Sequence, residues 1–147
     1  YVADFDDDWW LWNRIRIFHG RTVRAGRGAT VAARIKGATH SEVFGHIHRL
    51  EMAQKTLHGP KGQRVITSMT PGCLCRTDGT VPGASKLQNW QQGVGVGYVD
   101  LEHDAEHLSL VPILDGTIVF DGRVYVGQER SEEIAAETGF PQMIKPS

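Results

Sequence analysis

The sequence predicts a mixed α/β fold that becomes β-rich after residue 50. Near the N-terminus, two β-prone runs flank a run with helical spacing, which is the order of elements in a βαβ unit. After Leu50, runs rich in β-branched and aromatic residues alternate with turn signals. The 17 glycines and the scarcity of long apolar runs indicate many turns and short strands rather than a helical bundle.

The predicted βαβ unit spans residues 14–44. Residues 14–18 alternate arginine with apolar residues before His19, which indicates a strand. Thr30–Lys36 has apolar residues at helical spacing and is followed by Gly37, a suitable C-cap. Glu42–Phe44 is the next short strand. Ligand sites in open α/β sheets lie at the carboxyl ends of such strands.

The β-rich part contains six predicted strands. They are residues 49–57 and 63–69 around a turn at 59–62, 90–100 after a loop at 71–84, 108–113, 117–120 and 123–126. The last two flank Asp121-Gly122, which favours a hairpin with a type I′ turn. Ser131 is predicted to open a short acidic helix ended by Gly139 and Pro141. We therefore divide the chain into residues 1–130 and a C-terminal helix and tail at 131–147.

Composition excludes several classes of protein. At 147 residues the chain fits one domain or a large part of one, and no run approaches the ~20 apolar residues of a membrane span. The start, Tyr-Val-Ala-Asp, shows no signal peptide and no initiator Met, so we expect a cytoplasmic protein and a truncated chain. Cys73 and Cys75 are too close for an ordinary disulfide with each other, and two thiols alone cannot close a zinc site. We expect them to be reduced and partly buried near a turn.

Two histidine motifs follow the strands of the βαβ unit. One strand ends in His19-Gly20, and the other leads into Gly45-His46-Ile47-His48. Neutral imidazole is a common metal ligand, and glycine lets the backbone approach an ion closely. On an extended strand end, residues i and i+2 share a face, so His46 and His48 could reach two adjacent ions. The remaining histidines are predicted to be solvated: His40 before the second strand, His58 in a turn, and His103 and His107 in an acidic loop.

The pattern His-Gly … Gly-His-x-His resembles the last two motifs of the calcineurin-like metallophosphoesterases. The neighbouring words His48-Arg49-Leu50-Glu51 and Ser68-x-x-Pro71-Gly72-Cys73 resemble phage and bacterial members, and the likeness covers roughly residues 9–128. It implies two facing mixed β-sheets flanked by helices. It also implies two divalent ions (Mn, Fe, Zn or similar) that clamp a phosphate ester, with His19 and His46 on one ion and His48 on the other.

The sequence departs from this family at its N-terminal side. The motifs Asp-x-His, Gly-Asp and Gly-Asn-His-Asp/Glu are absent, and the acids at residues 4, 6, 7 and 8 fit none of them. The resemblance therefore implies a C-terminal half with about half of the metal ligands. The catalytic residues are unknown, since the family carries them in the missing part, and we expect the chain as given to be inactive by itself.

Arginines near the motifs are candidates for phosphate support. Arg49, Arg24 and Arg27 are the residues we select, although Arg49 could equally pair with Glu51 or Glu42. The basic residues at 14, 16, 21, 24, 27, 34 and 36 form a block without acids. That block would attract a phosphodiester backbone, or it is a solvated face whose charges meet acids of the missing half. Asn89-Trp90-Gln91-Gln92 either lines the cleft or buries an indole beside a hydrogen-bonded amide.

The resemblance implies a hydrolase of phosphomono- or phosphodiesters. The substrate would be a nucleic acid or nucleotide, and the location the host cytoplasm if a phage encodes the chain. The alternative is a non-catalytic phosphate- or nucleic-acid-binding module that uses segment 14–36 with tryptophans such as Trp9 and Trp90. No membrane partner is expected. The apolar surface of a half-domain predicts self-association.

Overall fold

The computed structural model describes residues 7–26, 28–60, 62–81 and 88–138, which form a mixed α/β structure dominated by strands in two sheets. The predicted mixed, β-rich character is confirmed. The elements are β1 (Trp9–Leu11), β2 (Ile15–Phe18), α1 (Ala29–Gly37), β3 (Ser41–Phe44), β4 (Leu50–Gly59), β5 (Gly62–Pro71), β6 (Gly93–Asp100), β7 (Ala105–Leu114), β8 (Thr117–Phe120), β9 (Arg123–Val126) and α2 (Gln128–Thr138). Neither helix in these ranges is long and apolar enough to cross a membrane.

The first sheet has the strand order β1-β2-β3-β5-β4. Strands β2, β3 and β5 are parallel, whereas the edge strands β1 and β4 run antiparallel to their neighbours. The predicted βαβ step is therefore present. Its register places Phe18 beside Phe44, so β2 and β3 end next to each other.

Helix α1 covers one face of this sheet. Val31 packs with Phe44 and Ile47, and Ile35 packs with Ala38 and Ile66. The predicted helix is confirmed, but Gly37 belongs to the helix and Ala38 is its C-cap. Ala38 is extended (φ −70°, ψ 142°) and buried in the core, so the helix ends without the left-handed residue that glycine would supply.

The second sheet has the order β6-β7-β8-β9, with every pair antiparallel. Glu106 on β7 links it to the first sheet, since its carboxylate accepts hydrogen bonds from the Ser41 hydroxyl and from Arg64 (3.0 Å). The β8–β9 turn has positive φ at Asp121 (51°) and Gly122 (70°), so the predicted type I′ hairpin is confirmed.

Four details differ from the sequence predictions. The tryptophan-rich run forms the unpredicted strand β1, and α2 begins at Gln128, three residues before Ser131. His58 lies on β4 and His107 on β7, not in a turn and a loop, because strand pairing continues to the hairpin ends. The predicted helix stop at Gly139 and Pro141 lies outside the described residues, as does part of the 71–84 loop.

Candidate metal centre

His19 and His46 meet where β2 and β3 end. His19 Nε2 lies 3.3 Å from His46 Nδ1, and their ring centroids are 5.3 Å apart. Gly20 allows this approach: it has a φ of +85°, and a Cβ there would lie 3.3 Å from the Phe44 ring and 3.6 Å from the Gly45 carbonyl oxygen. The two imidazoles predicted to share one ion are therefore adjacent.

The backbone at His46 forms a γ-turn, which is a tight turn of three residues. The Ile47 amide donates to the Gly45 carbonyl oxygen (2.9 Å), and His46 between them has a φ of 72°. His48 also has a positive φ, 54°. The prediction of an extended strand end with both imidazoles on one face is therefore wrong. Positive φ is uncommon for residues other than glycine and concentrates at functional sites.

This turn sends the two histidines to different neighbours. Ile47 is buried in the core and anchors the turn. His46 lies against His19, whereas the His48 ring lies 4.4 Å from the Trp90 ring. One loop thus divides its imidazoles between two places, as the predicted assignment of His48 to a different ion requires.

The electrostatics of His19 favour a neutral ring. Partial burial lowers the pKa of His19 below its ordinary value of 6.5, and the charges of His46 and His48 lower it further. The neutral imidazole is the form that binds a metal ion. His19 therefore stays a competent ligand at a lower pH than a free histidine would.

His48 belongs to a second cluster that the sequence analysis missed. One ligand atom each from His48, Cys73 and Cys75 lies within 4.8 Å of the others, and no other trio of metal-ligating side chains was found among the described residues. Both thiols are free and half-buried, as predicted. Burial, followed by the hydrogen bond and charge of Cys75, raises the pKa of the Cys73 thiol to about 11.

The register of the β4–β5 hairpin explains this cluster. Leu50 pairs with Pro71 at the open end of the hairpin. His48 lies two residues before Leu50, and Cys73 lies two residues after Pro71. Residues that flank a long antiparallel hairpin must lie near each other. The strands predicted at 49–57 and 63–69 therefore already implied that His48 lies near Cys73.

Arg49 is held by an ion pair and by the loop before α1. It is buried, and its Nε lies 3.0 Å from Glu51 Oε1. It also donates to the Arg24 carbonyl oxygen (2.9 Å) and the Thr30 hydroxyl (3.0 Å). Of the two acidic partners left open by the sequence, the structure shows Glu51, and the support of a phosphate by Arg49 stays a prediction.

Glu51 completes this network at the helix N-terminus. Gly28, the N-cap residue of α1, makes no side-chain cap, and the Val31 amide donates instead to Glu51 Oε2 (3.3 Å). A carboxylate at this place satisfies a free amide and complements the helix dipole. The network connects β4 to the first turn of α1. Its first residue, Arg49, directly follows His48 in the sequence.

The other arginines are largely matched by acids of the chain itself. Arg16 pairs with Asp8 (2.5 Å), Arg34 with Glu42 (2.9 Å), and Arg14 with Asp104 and Glu106. Arg24 is exposed and contacts Thr30 through its backbone amide, while Arg27 lies outside the described residues. A cavity of about 390 Å³ adjoins His19, lined by the arginines 16, 21 and 34 and by Asp7 and Asp8.

The Asn89–Gln92 segment adjoins the His48 side. The Gln91 amide donates to the His48 carbonyl oxygen (2.9 Å), and Gln91 Oε1 accepts from the Leu50 amide (3.2 Å). Trp90 is half-buried with its ring against the ring of His48, and its neighbour Gln91 has a hydrogen-bonded side-chain amide. This agrees with an indole packed beside a hydrogen-bonded amide, while the lining of a cleft stays a prediction.

The remaining histidines lie apart from both clusters. His58, His103 and His107 are exposed, in agreement with their predicted solvation. His40 was predicted to be a surface residue and is half-buried, with its ring 5.1 Å from the Trp10 ring. His40 precedes β3, whereas His46 follows it, so the two lie at opposite ends of that strand.

Comparison with known proteins adds no relative. No family model matches the sequence, and no match was found among curated proteins or solved structures.

Proposed function

We propose that this chain contributes metal ligands to a metal-dependent phosphoesterase that hydrolyses phosphomono- or phosphodiesters. The observation that carries the proposal is the 3.3 Å approach of His19 and His46 at the adjoining ends of parallel strands β2 and β3. Two imidazoles in contact, one on a strained turn, are costly to arrange unless something holds them together. A divalent cation is the partner that neutral imidazoles select.

In this proposal His19 and His46 hold one ion and His48 helps to hold the other. Bound divalent ions would supply a hydroxide nucleophile and neutralise charge on the phosphoryl oxygens. The protein's own contribution is positional: the γ-turn fixes the imidazoles, and the Arg49–Glu51 network fixes the loop beside them. A substrate phosphate would occupy the cavity beside His19, where Arg21 supplies positive charge.

The site needs ligands beyond these. Among the described residues, His19 and His46 are not part of any group of three metal-ligating side chains. The missing ligands would be carboxylates from another segment or another polypeptide, as the likeness to the C-terminal part of the metallophosphoesterases implies. On this view, the two sheets here form part of the facing pair of sheets of that fold.

A non-catalytic phosphate-binding module is the competing function. It depends on free positive charge in segment 14–36, but Arg14, Arg16 and Arg34 are paired with acids. Exposed Arg24 is its strongest remaining contributor. The pairing of the arginines therefore favours the metal-dependent enzyme.

The test compares Mn²⁺ uptake and Mn²⁺-dependent binding of bis(p-nitrophenyl) phosphate in His46→Gln and Arg24→Gln. We expect His46→Gln to lower both by on the order of 100-fold, because even outer-shell partners of metal sites cost 10–100-fold. Arg24→Gln should lower only the affinity for the phosphoester, by a few-fold, and His58→Gln should change nothing. Mn²⁺ uptake indifferent to His46→Gln would contradict the proposal, and loss of phosphate binding in Arg24→Gln alone would favour the binding module.

A further inference from the structure

We infer that His48, Cys73 and Cys75 form a distinct site for a thiophilic divalent ion of the zinc class, bound by two sulfurs and one imidazole with one coordination position left for an exogenous ligand. The inference relates to the proposed function only through His48, the residue that both use. Its other two ligands are cysteines, and its metal preference is different. It also does not depend on phosphoester hydrolysis.

The distances suit such an ion. The three ligand atoms lie within 4.8 Å of one another. Ligands around tetrahedral zinc, with Zn–S of about 2.3 Å and Zn–N of about 2.0 Å, are roughly 3.6 Å apart, so the atoms need to move together by about 1 Å at most. Free cysteine side chains adjust by this amount through rotation about χ1.

The backbone holds the three residues in this arrangement. The Cys73 amide donates to the Gln91 carbonyl oxygen (3.0 Å), and the Gln91 amide donates to the His48 carbonyl oxygen (2.9 Å). Gln92 Nε2 donates to the Cys75 carbonyl oxygen (2.8 Å). The segment 91–92 thus ties both cysteines and the histidine to one short stretch of chain.

Gly72 makes the close approach of the cysteine loop possible. Its φ is +78°, and a Cβ there would lie 2.4 Å from the Gln91 carbonyl oxygen. Any other residue would push Cys73 away from the 91–92 segment. The loop that delivers the thiols is therefore adapted to this place, and the cluster is more than a chance meeting of surface side chains.

His48 adds a second observation. Its Nδ1 atom is buried and has no hydrogen-bond partner in the protein. Buried polar atoms are rarely left without a partner, and a coordinated cation is one partner that would satisfy this one. The ring of Trp90 lies 4.4 Å away and screens the imidazole from water, as apolar shells do around metal sites.

The donor set decides the class of metal. Thiolates select zinc-like ions over Mn²⁺ and Mg²⁺, which prefer oxygen ligands. Two cysteines and one histidine are the protein ligands of an open, catalytic-type zinc site, whereas closed structural sites use four. The fourth position here would be taken by water or by a substrate atom.

The experiment is Co²⁺ titration of the reduced chain followed by Zn²⁺ competition. We expect a thiolate-to-cobalt charge-transfer band at one ion per chain, displaced by one equivalent of Zn²⁺. Cys73→Ser, Cys75→Ser and His48→Gln should each weaken Zn²⁺ binding by at least about 100-fold. Circular dichroism checks that each variant is folded, and the near-isosteric serines keep the packing intact.

His19→Gln is the matched variant that separates the two sites. It should leave the cobalt band unchanged while it removes Mn²⁺ uptake. Absence of the band in the folded wild-type chain, or a band that survives both serine variants, would overturn the inference. Zn²⁺ binding lost in His19→Gln but kept in Cys73→Ser would also overturn it and assign the ion to His19 and His46. Failure of Mn²⁺ uptake with the band intact would count against the proposed function alone.

Discussion

The two sheets differ in how much of their apolar surface they bury. Nearly all buried apolar side chains among the described residues come from the first sheet, α1 and the loops between them, and β7 adds only Val111. The second sheet leaves large apolar side chains in solvent at positions 98, 114, 119, 124 and 125, and the first sheet does so at positions 9, 10, 11, 52 and 65. Both histidine turns follow strands of the first sheet. The metal-binding geometry therefore lies on the sheet that supplies most of the core, while the second sheet adds little to the core and presents apolar surface suited to association.

The largest expected effect is the loss of the buried ion pair beside the site. Glu51→Ala leaves Arg49 charged and buried and removes the cap of the Val31 amide, so we expect about 3–5 kcal/mol of destabilisation. The exposed pair of Arg130 and Glu133 in α2 is the control, and Glu133→Ala should cost far less because solvent screens that pair. Urea unfolding measures the free energy of unfolding of both variants. Equal losses of stability would contradict the difference expected between the buried and the exposed ion pair.

The next effect contrasts apolar truncation in the two sheets. Ile66 on β5 is fully buried (0% exposed), and Ile66→Ala should cost about 2–5 kcal/mol through lost contacts and a cavity. Val124 on β9 is 62% exposed, and Val124→Ala should stay within about 0.5 kcal/mol. Equilibrium unfolding of both variants at one temperature gives the difference. A large cost at Val124 would show that the outer face of the second sheet is covered.

The third prediction is that the chain self-associates through exposed apolar residues of the second sheet. Val119 and Val124 lie opposite each other on β8 and β9, and both are exposed. We expect the chain to associate at tens of micromolar, and Val119→Lys with Val124→Lys to move the sedimentation coefficient to that of a monomer. Lysines on exposed positions of the first sheet, such as Met52→Lys on β4, should have less effect. A sharp monomer peak for the unmodified chain would contradict this prediction.

The smallest expected effect is a pH dependence of the free energy of unfolding that comes from the protonation of His19. Because the folded-state pKa of His19 is lowered below 6.5, the unfolded chain binds a proton more readily. The free energy of unfolding of the metal-free chain should therefore decline as pH falls from about 6.5 through the folded-state pKa, and be fully recovered above 6.5. Comparison with His19→Gln isolates this contribution. A decline of the same size in that variant would assign it to other groups.

The sequence predicted most of the regular structure but little of the site's detailed geometry. Strands β2 to β9 and helix α1 follow from local alternation, helical spacing and the Asp-Gly turn. Strand β1 was missed because consecutive tryptophans carry no alternation. The γ-turn at His46 depends on a positive φ that no residue type other than glycine announces.

Long-range contacts set the roles of Arg49 and the cysteines. Arg49 is a buried loop anchor because the Arg24 carbonyl oxygen and the Thr30 hydroxyl accept its hydrogen bonds, and local sequence does not encode those contacts. The meeting of His48 with Cys73 could have been predicted from the hairpin register. It was missed because the two cysteines were considered without the histidine that the hairpin brings to them.

We propose that His19 and His46 bind one metal ion together, and pulsed electron paramagnetic resonance of the Mn²⁺-loaded chain is the direct test. Imidazole nitrogens bound to Mn²⁺ modulate the electron spin echo. Because His48 is assigned to the other ion, the experiment uses the His48→Gln chain. We predict nitrogen modulation there that persists when Cys73→Ser is added and disappears when His19→Gln and His46→Gln are added. Bound Mn²⁺ without nitrogen modulation, or modulation that survives the double substitution, would contradict the claim.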